Sequence, residues 1–307
     1  MPPKVAVIIL NWNGKKDTLS CLASLTKQNY PNFEILVVDN GSEDDSLSTI
    51  LQAYPYISLL ETFHNLGYAK GNNLGIQHAL KKHADYLLLL NNDTILDPAF
   101  LTKLVEFASL KPKGGIFGGK VLKLARPDTF DHMGGYWNPK TAKFCSLYFG
   151  EKDMGQLHTS IEVDYICGCA ILIKQEVIQK VGSLDPRFFL LWEESDLCMR
   201  AKKKGFEVWL TPAATLWHKG SASFSSKAEM DYYWWRNRLL WIEKNCSRKE
   251  KALLYARIVI KECFKIYRRR LCKRKDPNFE RYKAGCRGIY DYYKKNFGPL
   301  VKKPHVL

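Results

Sequence analysis

The first 90 residues alternate short apolar runs with longer stretches in which apolar side chains recur at helical spacing. The apolar runs predict β-strands near residues 5–10, 33–38, 57–61 and 86–90. The stretches between them predict helices near residues 15–27, 44–54 and 70–82. Strand alternating with helix is typical of an α/β fold, in which helices cover both faces of a parallel sheet.

The pattern changes at Gly114, where shorter β-like pieces punctuated by glycine and proline replace the strand–helix alternation. These pieces lie near residues 116–122, 130–137 and 143–149, and a longer strand is predicted at 163–173. The second half of the sheet is therefore expected to be mixed. We predict one large domain over residues 1–220 and a separate helical region over residues 221–307.

The fourth predicted strand is the most informative segment of the chain. Four leucines at 87–90 have no polar alternation, which indicates a strand buried on both faces. They are followed by Asn91, Asn92 and Asp93. Because open parallel sheets bind ligands at the carboxyl ends of their strands, these side chains are expected to face a ligand.

The first two strands also end in polar residues. The first ends in Leu10 and Asn11, with Asn13 just beyond, and the second ends in Asp39, with Gly41 close behind. A carboxylate there can accept hydrogen bonds from a base or a ribose, and a turn-forming aspartate is the alternative. Ser42 and Asp45 match the spacing of a helix-capping pair.

A third loop, residues 64–75, spaces its glycines by four and carries Lys70 and Asn73. Glycines let backbone N–H groups approach a phosphate, and the start of a helix favours negative charge. The spacing matches neither the P-loop nor the dinucleotide fingerprint. Simple packing of the loop is an equally good interpretation.

A second acidic cluster follows an apolar aromatic run, and comprises Glu193, Glu194 and Asp196 directly after Trp192. Acidic residues in the first turn of a helix are favoured by its dipole, which accounts for one or two of them. A cleft lined by aromatic residues can instead raise the pKa of a carboxyl group and make it a general base. We predict that the three acidic residues, together with Trp192 and Arg200, form an acceptor cleft.

Composition narrows the class of protein. The chain has 307 residues, 46% of them hydrophobic, and nine irregularly spaced cysteines. An odd number of cysteines makes a disulfide framework or a zinc knuckle a poor interpretation, so we expect reduced thiols and a cytoplasmic location. No run reaches about 18 apolar residues, so no membrane-spanning helix is expected.

The net charge of +16 is concentrated in the C-terminal region. Residues 221–307 contain 23 Lys and Arg against 8 Asp and Glu, whereas residues 1–220 contain 24 against 23. Residues 252–270 predict a basic amphipathic helix, with apolar Leu254 and Ile258 near Arg257, Lys261 and Lys265. It can lie in a bilayer interface or pack on the body of the protein. Nucleic acid is not an expected partner, because no recognition motif is present.

The chain resembles the family 2 glycosyltransferases with the GT-A fold, particularly the bacterial rhamnosyltransferase-like branch. The resemblance rests on six motifs between Val5 and His218 that occur in the order typical of that family. They occupy residues 9–14, 37–42, 65–73, 90–93, 188–200 and 217–218. The resemblance implies a single Rossmann-like nucleotide-binding sheet with a mixed acceptor half and a helical C-terminal appendage. It also implies inverting transfer of a sugar from a nucleotide diphosphate sugar, supported by Mg²⁺ or Mn²⁺.

The resemblance also assigns roles to residues. Glu194 matches the general base, at a position where many relatives have aspartate, and Asp93 and His218 match the metal ligands. Where relatives carry a DxD-type motif, this chain has Asn91-Asn92-Asp93, which leaves one carboxylate for the ion. Asp39 matches the contact to the base, and the set expected to bind the nucleotide sugar is Leu10, Asn11, Asn13, Asp39, Gly41, Lys70, Asn73, Asn91, Asn92 and Asp93.

The expected acceptor is a glycan or a lipid-linked hydroxyl, which would suit a peripheral position on the cytoplasmic face of a membrane. Similarity to the branch points to dTDP-rhamnose or a UDP-hexose as donor. Two alternatives stay open at this stage. One is a binding module for nucleotide sugars or glycans with a weakened active site, and the other is a basic protein associated with nucleic acid.

Overall fold

The computed structural model describes residues 1–220, 226–271 and 279–300. Helices and strands alternate from the first strand onward. The helices are α1 (Lys15–Leu25), α2 (Ser46–Ala53), α3 (Gly67–Lys81), α4 (Phe100–Ser109), α5 (Gln175–Val181), α6 (Glu193–Lys203), α7 (Lys227–Asn245), α8 (Arg248–Leu271) and α9 (Phe279–Tyr293). The strands are β1 (Val5–Asn11), β2 (Phe33–Asp39), β3 (Ser58–Glu61), β4 (Tyr86–Asn91), β5 (Thr94–Leu96), β6 (Gly114–Lys123), β7 (Arg126–Phe130), β8 (Gly134–Asn138), β9 (Lys143–Ser146), β10 (Ile161–Glu162), β11 (Tyr165–Ile166), β12 (Ala170–Lys174) and β13 (Glu207–His218).

The main sheet has the strand order β10-β13-β6-β12-β4-β1-β2-β3, with β5 added beside β13 and β7 beside β6. Strands β4, β1, β2 and β3 run parallel, whereas β12 is antiparallel to both of its neighbours. A smaller sheet has the order β11-β8-β9. The predicted α/β class, with a parallel first half and a mixed second half, is confirmed.

The fourth strand is buried as expected. Residues 87–90 are each exposed by 2% or less, which confirms a strand covered on both faces. Its neighbours β1 and β12 supply the flanking hydrogen bonds. This central position fixes the place of the polar residues that follow the strand.

Three local predictions were wrong. Helix α3 begins at Gly67, earlier than the predicted residue 70. The predicted strand at 163–173 is divided, because β11 pairs with β8 in the small sheet while β12 lies between β4 and β6. Ser42 does not cap a helix, since α2 has Asp45 at its N-cap and the Ser42 hydroxyl donates to Asp39 instead.

The C-terminal helices pack on the body of the protein. Helices α7 and α9 approach closely at Gly288, where a Cβ would lie 2.4 Å from the Tyr232 carbonyl oxygen. Buried residues of α7 and α8 share one apolar cluster with Phe188 and Trp192 of the body. Leu254 and Ile258 belong to that cluster, so this part of α8 packs inward. For residues 261 and 265, which were predicted to carry basic side chains on this helix, the structure describes the backbone and not the side chains.

Among the described residues, no helix combines the length and the apolar composition needed to cross a bilayer.

Candidate functional site

The carboxyl ends of β1, β2 and β4 meet at one edge of the sheet. Asn11 pairs with Asp39 across β1 and β2, and Leu10 pairs with Asn91 across β1 and β4. A cleft of about 310 Å³ opens above this edge. Its walls are formed by Leu10, Trp12, Asn13, Gly14, Asp17, Asn40, Asn65, Gly67, Tyr68, Asn91, Asn92, Asp93, Phe189, Leu190, Glu229, Tyr233, Pro299 and Leu300.

Asn11 and Asp39 lie beneath the cleft and hold two strand ends together. The Asn11 amide donates to Asp39 Oδ1 at 2.7 Å, and its oxygen accepts from Thr18 at 2.7 Å. Asp39 Oδ2 accepts the backbone N–H of Ser42 at 3.0 Å, so the carboxylate forms a turn. Both residues are at most 2% exposed. The structure therefore favours the turn-forming alternative for Asp39.

Gly41 shapes the loop that follows. Its φ of +75° is a conformation that residues with a Cβ rarely adopt, and a Cβ would lie 2.6 Å from the backbone of His64. Glycine at this position allows the β2 loop to pass closely over the loop after β3. The predicted contact of Gly41 with the nucleotide sugar stays a prediction.

Asp93 and His218 come together through the pairing of β5 with β13. The register places Thr94 opposite His218, so Asp93 lies beside the histidine, with its Oδ1 3.3 Å from His218 Nε2. Burial would lower the pKa of His218, but hydrogen bonds to Asp131 and Asp93 outweigh burial and raise it to about 10. The two side chains predicted as metal ligands are therefore neighbours, with Asp93 in the wall of the cleft.

The donor atoms fit a divalent ion. Two neighbouring ligands, each ~2.1 Å from an octahedral ion, are separated by ~3.0 Å, close to the distance between Asp93 Oδ1 and His218 Nε2. Among the described residues, no group of three His, Cys, Asp or Glu side chains is placed to hold an ion. A divalent ion with few protein ligands commonly takes phosphate oxygens and waters as the others.

Glu194 lies in the first turn of α6, partly buried behind Tyr68 and Gly168. Burial raises the pKa of Glu194 to about 7, although backbone N–H groups at the helix start oppose the shift. Burial, with repulsion from Glu194, raises the pKa of Glu193 further. A carboxyl group that titrates near neutral pH is suited to accept a proton from a hydroxyl.

The chain before Glu193 is strained. Phe189, Leu191 and Trp192 have φ values of 63°, 73° and 78°, which cost about 1–3 kcal/mol each in residues with a Cβ. The Asn237 amide of α7 donates to the carbonyls of Phe188, Leu190 and Leu191 at 2.7, 2.8 and 3.0 Å. The C-terminal region therefore holds the segment that positions Glu194.

Trp192, Glu193, Asp196 and Arg200 do not line the cleft. Trp192 packs in an aromatic cluster with Trp234 and Trp241. The Glu193 side chain is 3% exposed, and its Oε2 has no hydrogen-bond partner among the described residues. The predicted acceptor role for these residues is corrected, because helical periodicity turns them towards the protein interior.

Asp196 and Arg200 join α6 to its neighbours. Asp196 is fully buried and accepts from Arg200 Nε at 2.8 Å, from Lys244 Nζ at 2.7 Å and from the Asn245 amide at 3.0 Å. Arg200 also donates to the carbonyls of Val181 and Ser183, both at 2.7 Å. Their role is to anchor α7 and the loop before α6.

We expect Asp196→Ala to lower the free energy of unfolding by about 3–5 kcal/mol, because it removes one member of a buried ionic network. Chemical denaturation measures this. Asp128→Ala removes an exposed partner of Lys152 and is the matched control, for which little change is expected. A loss for Asp196→Ala as small as that of the control would contradict the structural role.

Lys70 and Asn73 are not placed in the cleft either. Lys70 is exposed on α3 and is absent from the cleft walls. Asn73 donates to the Leu184 carbonyl at 2.8 Å and accepts the Leu184 N–H at 3.0 Å. Asn73 therefore ties α3 to the loop before α6, which is the packing interpretation of this segment.

The C-terminal region contributes walls that the sequence motifs did not reveal. Tyr233 stacks on Phe189 with ring centroids 5.3 Å apart, and its hydroxyl accepts the Leu300 N–H at 2.8 Å. Arg236 donates to the Gly298 carbonyl at 2.6 Å. Pro299 and Leu300 thereby close one side of the cleft. The aromatic run at 232–235 was the only sequence signal, and it does not specify a partner.

Two named proteins are similar in sequence to this chain. The chain is 29% identical over 243 residues to the O-antigen biosynthesis protein RfbC of Myxococcus xanthus, covering 75% of this chain but only 18% of that protein. It is 25% identical over 294 residues to the N-acetylglucosaminyl-diphospho-decaprenol L-rhamnosyltransferase of Mycobacterium tuberculosis, covering 82% of this chain and 91% of the relative.

Among solved structures, the fold is similar to that of GalNAc-T7 with UDP, GalNAc and Mn²⁺. The TM-score is 0.65 at 14% identity, and the match covers 95% of this chain and 56% of that one. This similarity confirms the predicted GT-A fold. The family described as "Glycosyltransferase like family 2" matches residues 2–236. The chain therefore belongs to the family 2 glycosyltransferases.

Proposed function

We propose that the protein is an inverting glycosyltransferase that moves a sugar from a nucleoside diphosphate sugar to a hydroxyl of a glycan or lipid-linked acceptor in cell-surface polysaccharide synthesis. One observation carries the proposal: Asp93, in the wall of the cleft, lies 3.3 Å from His218, and Glu194 lies next to Gly168, whose carbonyl accepts from the cleft residue Tyr68. Inversion needs a base on one side of the sugar and a stabilised leaving group on the other.

In the proposed reaction the acceptor oxygen attacks the anomeric carbon, and its proton passes to Glu194. The bond from that carbon to the phosphate oxygen breaks, and its electron pair leaves with the diphosphate. Asp93 and His218 would hold Mg²⁺ or Mn²⁺, which neutralises the negative charge that develops on the leaving group. Asn91 and Asn92 line the same wall and can hydrogen-bond the diphosphate or the sugar.

We assign the nucleobase of the donor to the part of the cleft that lies over the loops after β1 and β2. Leu10 and Asn13 line it, while Asn11, Asp39 and Gly41 shape it from beneath. In this proposal Asp39 acts through the loop that it orders. A relative from Shigella flexneri is named dTDP-rhamnosyl transferase, which favours dTDP-rhamnose as donor. A UDP-hexose stays the other expected donor.

A thermal-shift screen of UDP, dTDP and GDP sugars with Mn²⁺ tests the proposed function. A donor present at 100 times its Kd should stabilise the folded protein by about 2.7 kcal/mol. Transfer is then measured with that donor and a lipid-linked or soluble glycan acceptor. Binding without transfer to any acceptor would favour the alternative, a binding module with a weakened site, and the absence of any shift would refute both.

A contact with the membrane is proposed for α9. Its outer face carries Phe279, Tyr290 and Tyr293, which are 48%, 59% and 55% exposed, with Lys283 and Lys294 beside them. Aromatic rings with flanking lysines suit an interface of anionic lipids. This would place a lipid-linked acceptor near the cleft, on the cytoplasmic face of the membrane.

We expect the double variant Tyr290→Ser and Tyr293→Ser to bind vesicles of phosphatidylglycerol and phosphatidylcholine at least about tenfold more weakly, because about 1 kcal/mol or more of apolar burial is lost at each site. Co-sedimentation measures this binding. Tyr56→Ser serves as the control, because it removes a tyrosine that is 72% exposed and lies in the N-terminal half of the sequence. Equal vesicle binding by all three proteins would contradict the proposed contact.

A further inference from the structure

Asp131 follows β7 and lies against the far side of His218. Its backbone N–H donates to the Val121 carbonyl of β6 at 2.9 Å, and its side chain is 11% exposed. Asp131 Oδ2 lies 3.0 Å from His218 Nδ1. The backbone N–H of His132 also donates to this carboxylate. Asp131 is therefore a fixed carboxylate aimed at one ring nitrogen.

The two nitrogens of His218 face two different carboxylates. Nδ1 faces Asp131, and Nε2 faces Asp93 at 3.3 Å. An imidazole that ligates a cation has lost one of the two ring protons of the cationic form, so one nitrogen offers a lone pair and the other keeps its proton. A proton held on Nδ1 by Asp131 leaves the Nε2 lone pair on the side of Asp93 and the cleft. The opposite tautomer would direct an N–H at the place where a cation is expected.

We propose that Asp131 is a positioning residue that fixes His218 in the Nδ1–H tautomer and thereby makes Nε2 a ligand for a divalent cation. The proposal rests on the proposed function only for the presence of that cation. A carboxylate that accepts the second N–H of a histidine ligand orients the ring and increases its basicity, and its removal weakens metal binding by about 10- to 100-fold. Asp131 would act through His218 without touching substrate.

Electron paramagnetic resonance titration with Mn²⁺, alone and with UDP or dTDP, tests this role. We expect Asp131→Ala to weaken Mn²⁺ binding by about 10- to 100-fold while leaving metal-free nucleotide affinity within about twofold. Asp153→Ala is the matched control, because this carboxylate is 15% exposed and pairs with Lys120 instead of a histidine. Wild-type affinity in Asp131→Ala, or an equal loss in the control, would overturn the proposal.

A second measurement does not depend on folding of the variant. In wild-type protein bound to Mg²⁺ and nucleotide, ¹H–¹⁵N spectra of the histidine rings should show the His218 proton on Nδ1. A proton on Nε2 would overturn the proposal. Wild-type protein that binds neither ion would also overturn it, whereas the proposed function is judged separately by the transfer assay.

Discussion

Glu194→Gln is expected to lower the turnover number for sugar transfer by about 100- to 10,000-fold, the usual contribution of a general base. Glutamine preserves the size of the side chain but cannot accept the proton of the acceptor hydroxyl. Because the variant differs from wild type in charge and hydrogen bonding at one side chain that does not line the cleft, donor affinity should stay within about twofold. Steady-state kinetics with saturating donor, together with donor binding by calorimetry, separate the two effects.

The adjacent Glu193→Gln variant is the matched control. Burial and the neighbouring carboxylate raise the pKa of Glu193 and so favour its neutral acid form, which glutamine closely resembles. We expect turnover within about threefold of wild type for this variant. If Glu193→Gln abolished transfer and Glu194→Gln did not, the base would be Glu193.

The pH dependence provides an independent readout of the same residue. Burial raises the pKa of Glu194 to about 7, and only the deprotonated form can act as a base. Turnover should therefore fall as the pH drops below about 7 and reach a plateau above it. A rate that is constant from pH 5 to pH 8 would contradict a catalytic carboxyl with this pKa.

The positions of the polar residues at the strand ends could be predicted, because the local sequence alone marks where each buried strand stops. A buried strand needs an unbroken apolar run, such as residues 87–90, and the first polar residues after it must lie at the edge of the sheet. Parallel register then brings Asn11, Asp39 and Asn91 into neighbouring positions. Side chains fixed by strand ends were therefore located without knowledge of the fold.

Residues on α6 were harder to assign because their roles depend on distant partners. Asp196 and Glu194 are two positions apart, so they point to different sides of the helix. The partner of Asp196 is Lys244, 48 residues later, and nothing in the local pattern predicts that pairing. The local pattern does not single out Asp131 either, since its partner His218 is 87 residues away.

The positive φ angles before α6 could not be predicted either. Leu191 and Trp192 are not residues that favour left-handed backbone, and the amide of Asn237 satisfies carbonyls that this conformation exposes. The sequence boundary placed at residue 220 separates these partners. The proposed division into a catalytic domain and a C-terminal region thus describes charge and composition, while the geometry at Glu194 depends on both.

Asp93→Asn should lower turnover by about 100- to 1,000-fold and weaken donor binding in the presence of Mn²⁺. It removes the one carboxylate of the Asn91-Asn92-Asp93 segment, and a loss of about 3–4 kcal/mol of charge stabilisation corresponds to this range. Asp97→Asn is the matched control, because its carboxylate accepts the Ala99 N–H at 2.9 Å and does not line the cleft.

Chelation distinguishes loss of the ion from loss of the fold. Wild-type turnover should disappear after dialysis against EDTA and return with Mn²⁺, whereas Asp93→Asn should respond weakly to either treatment. Asp93 and His218 would supply two ligands, to which phosphate oxygens of the nucleotide would add, so Mn²⁺ should bind more tightly when nucleotide is present. Wild-type turnover that survives EDTA would show that Asn91, Asn92 and the protonated His218 stabilise the leaving group without a cation.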